Sequence, residues 1–177
     1  MTKLRHYDNL GTARFVTISC YHNYNLLRTD FAISVFLKYL NIIRQKYDIK
    51  LFGYVIMPNH AHLVLLPPDN CKLGRIIGEL KSLSAKEILA HWRNKGYKVL
   101  DRLSIVKDGN RQNVFWQKRF YDHNCRTSET VIEKIKYCHK NPVVRNLVTS
   151  SAQWRWSSYR WYNCISEVEI EIDGVEL

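Results

Sequence analysis

Two histidines one residue apart, His60 and His62, open the apolar run Leu63-Val64-Leu65-Leu66, and Tyr137 follows in a later stretch with helical spacing. Side chains of a strand alternate between its faces. In a strand, both imidazoles would leave one face about 6 to 7 Å apart along the chain and could close on one cation. A phenol, with a pKa of about 10, is a poor nucleophile at neutral pH. A divalent cation on a non-bridging phosphate oxygen changes that balance: it makes phosphorus more electrophilic, offsets charge in the transition state and orients the ester for in-line attack. Metal and tyrosine together point to phosphodiester chemistry.

On a helix turning about 100° per residue, Val131, Ile132, Ile135 and Cys138 define a buried stripe. Tyr137 lies roughly 150° from its centre, and Asn141, four residues on, falls within about 40° of Tyr137. His139 falls nearer the apolar side and ranks below Asn141 as a ligand. Two imidazoles and one amide oxygen leave coordination positions open for phosphate. Imidazole alone favours zinc, copper or nickel, whereas amide and phosphate oxygens suit magnesium or manganese, so ligand type leaves the ion open.

These residues need elements to hold them. Ala13 to Tyr21 alternates and is rich in β-branched and aromatic residues, which predicts a first strand. Thr29 and Asp30 cap a helix marked by Ile33, Phe36, Leu37, Leu40, Ile43 and Tyr47. Lys50 to Met57 and His60 to Leu66 form a hairpin about the Pro58-Asn59 turn. A second helix runs from Leu73 past Ile88, with Glu87 the one charge in its apolar stripe. Residues 94 to 112 fit a loop, a short helix or a further hairpin, and Val114 to Phe120 reads as a strand. A last helix from Ser128 and Glu129 through Lys140 is expected to stop before Pro142. The resulting order, β-α-β-β-α-β-α, is an α+β plan: a ferredoxin-like, RRM-like antiparallel sheet with helices packed on one face.

With 177 residues, 46% of them hydrophobic, the chain suits one domain with a substantial core. We read residues 1–166 as that domain and 167–177 as an acidic tail that alternates like a terminal strand. The formal charge is +11; the tail holds five acids and no base, which leaves 27 bases against 11 acids in residues 1–166. Such an excess favours a polyanionic partner. Five scattered cysteines with no C-x-x-C pair argue against a disulfide framework or a zinc knuckle, and for a reducing compartment. The amino terminus lacks a signal-length apolar segment and no apolar stretch reaches membrane-span length, so a cytoplasmic protein without a membrane partner is expected.

Taken together, Tyr54 to Leu63 (YVIMPNHAHL), Leu73-Gly74 through Lys81-Ser82, Phe115-Trp116-Gln117 to Phe120-Tyr121-Asp122-His123, Tyr137 through Asn141-Pro142, and Trp156-Ser157-Ser158-Tyr159-Arg160 resemble the REP-associated tyrosine transposases, in the single-tyrosine branch of the HUH nucleases. The likeness runs from about Arg14 to Tyr162. It implies a catalytic domain with His60 and His62 on a central strand, binding Mg2+ or Mn2+, and Asn141 at the position of a third, polar ligand. It further implies that Tyr137 attacks single-stranded DNA at the foot of an imperfect palindromic hairpin, giving a 5′-phosphotyrosine and a 3′-hydroxyl. Relatives include monomers and homodimers. The acidic tail lies outside the family pattern.

A hairpin substrate suits the basic inventory. Arg14, Lys118, Arg119, Arg126, Lys136, Lys140, Arg145 and Arg160 are the candidate DNA contacts, by charge and neighbourhood. Two other readings compete with strand transfer: a catalytically silent hairpin nucleic-acid-binding module, and a metal-dependent hydrolase in which Tyr137 merely packs.

Overall fold

Runs such as 50–57 and 60–66, apolar at nearly every position, belong to strands covered on both faces. In the computed structural model, which describes residues 11–165 and 168–175, they form the heart of a four-stranded sheet. In chain order the elements are β1 (Ala13–Ser19), α1 (Asp30–Tyr47), β2 (Lys50–Met57), β3 (His60–Leu66), α2 (Leu73–Asn94), α3 (Val99–Arg102), β4 (Ser104–Lys107), β5 (Asn110–Asn113), β6 (Tyr121–Cys125), α4 (Ser128–Val144) and α5 (Tyr159–Tyr162). The sheet order is β2-β3-β1-β6, and each neighbouring pair is antiparallel. This interleaving of two βαβ units is the ferredoxin-like arrangement expected from the sequence.

The pleat sorts the side chains. Val16, Ile18, Tyr54, Ile56, Leu63 and Leu65 point into a core shared with α1 and α2. Phe15, Val55, Met57 and Val64 point the other way, against Val131, Ile135 and Cys138 of α4. The two crossover helices thus share one face as expected, and α4 covers the opposite face, a placement that departs from the one-face arrangement. The reason is the central strands themselves: apolar on both sides, they need a second cover.

Local chemistry fixes the helix ends and pairings. Thr29 caps α1 by accepting from the Ala32 amide, and Asp48 closes it in the left-handed conformation (φ 53°). Glu87 interrupts the α2 stripe because it meets α1: its carboxylate accepts from Lys38 Nζ at 2.7 Å and from Tyr39 Oη at 2.8 Å. Glu79 repeats the motif two turns earlier with Lys46 and Tyr47.

Three stretches differ from their sequence reading. Residues 114–120 form no strand: Phe115 and Trp116 turn into the α1/α2 core, only a single bridge joins Trp116 to Cys20, and the edge strand begins at Tyr121. The helix expected to stop before Pro142 continues to Val144, because a proline near the last turn forfeits a single ladder bond while Arg145 and Leu147 still donate to the carbonyls of Asn141 and Pro142. The expected terminal strand is absent among the described residues. Residues 168–175 instead form an irregular strap that buries Ile170 and Ile172, pairs Asp173 with Arg44 at 2.9 Å and donates the Asp173 amide to Leu51. Residues 1–10 of the expected domain, and Glu167 and Glu176 of the acidic run, lie outside the described residues. The ambiguous stretch 94–112 holds both α3 and the β4-β5 hairpin, which turns at Asp108-Gly109 with both φ values positive.

Candidate active site

β3 is flanked on both sides, by β1 and β2. His60 lies between Ser19 and Met57, His62 between Thr17 and Val55. The two-residue spacing aims both imidazoles at the α4 side of the sheet, where their Nε2 atoms converge to 3.0 Å. Each Nδ1 has its own partner: Asn59 Oδ1 in the hairpin turn lies 2.6 Å from that of His60, and Thr17 Oγ1 lies 2.9 Å from that of His62. An amide oxygen only accepts, so His60 carries its proton on Nδ1 and turns an Nε2 lone pair toward His62. The Thr17 hydroxyl both donates and accepts. His62 can therefore hold its proton on Nε2 when alone and on Nδ1 when Nε2 serves as a ligand.

Both rings are held neutral. Burial, reinforced by the positive charge of Arg145, brings His60 down to about 4. Burial, then the neighbouring His60, then Arg145, brings His62 down to about 3. Neutral imidazole is the metal-binding form. Among the described residues no cluster of three His, Cys, Asp or Glu side chains exists.

α4 brings the tyrosine. Thr127 caps the helix through the Thr130 amide, and the Ile135 face packs on the sheet over Gly53, where a Cβ would lie 3.1 Å from Ile135 Cγ1. Tyr137, two residues on, sets its ring 5.4 Å from that of His62 at an interplanar angle of 67°. Phe15 stacks on His62 at 5.0 Å and meets Tyr137 edge-on at 5.6 Å, fixing the two rings relative to each other. The tyrosine remains 49% exposed, and it shares an open cleft of about 460 Å³ with His60, His62, Thr17 and Arg145.

The remaining sequence candidates divide. Asn141 is buried, and its Oδ1 has no hydrogen-bond partner among the described residues, an unsatisfied acceptor of the kind a cation would use. His139 turns away, its Nε2 2.9 Å from Ser158 Oγ, which agrees with its lower rank as a ligand. Lys118, Arg119, Lys136, Lys140 and Arg145 are exposed, and Arg145 lines the cleft. Arg14 does not fit its assignment as a DNA contact: it is 3% exposed and bound to Asp122 at 3.1 Å across the β1-β6 ladder, because its alternation faces it inward. Arg126 is exposed but lines a separate groove with Ala13 and Leu66, at the end of the sheet away from His60. Arg160 is half-buried in α5, beyond the β2 edge. Sequence reasoning missed Thr17 and Asn59 as partners of the imidazoles, and Asn23 and Asn25 as cleft residues. The strand alternation of Phe15, Thr17 and Ser19 held the signal for Thr17, but only the β1-β3 register places it beside His62.

Comparison with known proteins bears on the family and the fold. A Haemophilus influenzae (strain Rd) protein named for the REP-associated tyrosine transposases is 25% identical over 116 residues, 65% of this chain and 61% of the relative, so the match spans less than two thirds of that protein. Among solved structures, a REP-associated tyrosine transposase bound to a REP hairpin superposes with a TM-score of 0.69 at 18% identity, covering 100% of this chain and 95% of the other. A Deinococcus radiodurans R1 crystal structure named as a transposase gives 0.50 at 17% identity, covering 77% and 95%. Both structural likenesses speak to the fold. Residues 10–141 match the model of the family described as IS200-like transposases, a span that contains the histidine pair, Tyr137 and Asn141. The chain belongs to the IS200-like transposase family.

Proposed function

We propose that this chain cleaves and transfers single-stranded DNA at the foot of a REP-like hairpin, through a covalent tyrosine intermediate. The observation that carries the reading is the approach of the Tyr137 ring to 5.4 Å from His62, in one cleft with two convergent, neutral imidazoles. A divalent cation would be held by His60 and His62 through Nε2, with the unsatisfied Oδ1 of Asn141 as the candidate third ligand, while Thr17 and Asn59 orient the rings. Bound there, Mg2+ or Mn2+ would supply Lewis-acid polarisation of the scissile phosphate. The protein's own groups do the rest. Tyr137 Oη attacks phosphorus, the bond to O3′ breaks, and the phenolic proton is balanced by the one taken up at O3′. A 3′-hydroxyl is released and the 5′-phosphate remains esterified to Tyr137; attack by another 3′-hydroxyl reverses the step and joins new ends. Arg145, already close enough to depress both histidines, counters the charge that develops on the phosphate. The hairpin is supported by the solved relative named as bound to one, and by the exposed bases on α4 and before β6.

Incubation of the protein with hairpin single-stranded DNA and Mn2+ tests the proposal. A protein-DNA adduct that survives denaturing electrophoresis is expected with wild type, and none with Tyr137→Phe or without divalent ion. Tight, salt-dependent binding with no adduct under any divalent ion would identify a silent binding module instead. Turnover that survives Tyr137→Phe but not His60→Ala would point to a hydrolase.

A further inference from the structure

The turn between β1 and α1 supplies part of the cleft wall through Asn23 and Asn25. Its backbone is unusual: His22 (φ 48°) and Asn23 (φ 55°) are consecutive non-glycine residues in the left-handed region. That conformation costs energy and persists only where the surroundings impose it. Here they do. The Cys20 amide donates to Asn59 O, the Leu27 amide to Pro58 O and the Tyr21 amide to Phe115 O, each at 2.8 Å. Tyr21 packs edge-on against His22 with centroids 4.2 Å apart, and Arg102 lies over the Tyr24 ring at 4.5 Å. Two of those bonds land on the Pro58-Asn59 turn, whose Asn59 side chain orients His60, so the Asn23 turn is held in register with the histidine pair.

Asn23 suits the turn through its tolerance of a positive φ, but the side-chain amides of Asn23 and Asn25 add nothing internal to it. Both are exposed, and neither side-chain amide makes a hydrogen bond among the described residues. A carboxamide pairs a donor with an acceptor on a rigid plane, which matches the edge of a base, with adenine its bidentate partner. Unpaired bases present such edges freely.

Resting on the proposed single-strand substrate, we infer that Asn23 and Asn25 form a base-reading subsite for one unpaired nucleotide beside the scissile phosphate. The subsite selects where the strand is cut, while the basic surface supplies affinity without sequence.

Binding selection separates this inference from the catalytic one. Tyr137→Phe protein is mixed with a hairpin DNA library carrying randomised nucleotides on both sides of the stem, and the bound fraction is sequenced. Enrichment of one base at a fixed distance from the foot is expected. Adding Asn23→Gly, which accepts the positive φ, together with Asn25→Ser should lower enrichment at that single position by about tenfold or more, with stem affinity and its salt slope unchanged. The inference is overturned by a Tyr137→Phe protein that enriches no flanking base, by enrichment that survives the double change, or by a uniform loss of affinity at all positions. Selection needs binding alone, so failure of the wild type to form a covalent adduct would sink strand transfer without touching this result.

Discussion

At the scale of single residues, Thr17 and the buried histidines carry the most exposed claims. Thr17→Val keeps the shape of the side chain but removes the hydroxyl that lies 2.9 Å from His62 Nδ1 and can accept its proton when Nε2 serves as a ligand. We expect Mn2+ affinity, measured by calorimetry, to fall roughly 10- to 100-fold, and Thr17→Ser to restore most of it. Equal affinity in Thr17→Val and wild type would remove Thr17 from the site. Acid stability follows from the same burial. His60, His62 and His139 all titrate below the ordinary 6.5, near 4, 3 and 4, so between pH 6.5 and 4 the unfolded chain binds more protons than the folded one. Stability of the metal-free protein is therefore complete above pH 6.5 and lost as pH falls, by up to about 1.4 kcal/mol per pH unit for each histidine. A urea midpoint independent of pH across that window would contradict it. Which residues were legible in the sequence follows from the range of the information each needs. His60 and His62 share a face by local alternation, and Tyr137 with Asn141 by helical period. The pairing of Thr17 with His62 and of Arg14 with Asp122 depends on strand register, which is set by chain folded against chain.

At the scale of elements, α4 is the part whose position matters most, and Gly53 sets its height over the sheet. Gly53→Ala would place a Cβ 3.1 Å from Ile135 Cγ1 and 3.4 Å from Ser158 Oγ, so the helix must give. A loss of about 1–3 kcal/mol is expected, with slower adduct formation and weaker Mn2+ binding, because Tyr137 and Asn141 move with the helix while the β3 histidines stay. A smaller cost of Gly53→Ala in an Ile135→Ala background, which removes both γ carbons, would locate the strain; no effect of Gly53→Ala on either stability or rate would refute the packing argument. The elements themselves were largely readable: caps, periodicity and the Pro58-Asn59 turn gave β1, α1, β2, β3 and α2 close to their observed bounds. Periodicity failed at 114–120, where Phe115 and Trp116 anchor a core instead of lining a ladder. It failed again at Pro142, where tertiary burial of Cys138, His139 and Asn141 outweighs the local resistance of the residue before a proline.

For the whole molecule, charge and strap divide the labour. The acidic strap is part of the fold: Ile170 and Ile172 are buried, Asp173 pairs with Arg44, and Glu169 takes Arg155 at 2.5 Å. Ile170→Ala should cost about 2–5 kcal/mol in thermal or urea unfolding, with hairpin affinity unchanged while the protein stays folded, since the strap docks beside Leu51 at the opposite end of β2 from the cleft. A destabilisation well under 1 kcal/mol would mean the strap is an appendage after all. Composition pointed to a polyanion partner and to one domain, but that the tail's alternating isoleucines would enter the core was hidden in the same pattern that suggested an edge strand. The central claim is that one phenolic oxygen and one imidazole pair serve a single phosphodiester, and peptide mapping of the covalent adduct tests it most directly. After Mn2+-dependent reaction with hairpin DNA and digestion by nuclease and trypsin, mass spectrometry should find a 5′-nucleotide on the peptide Tyr137-Cys138-His139-Lys140, attached to Tyr137, and nowhere in the His60→Ala/His62→Ala protein. A nucleotide on another residue, or an undiminished adduct in that variant, would contradict the account.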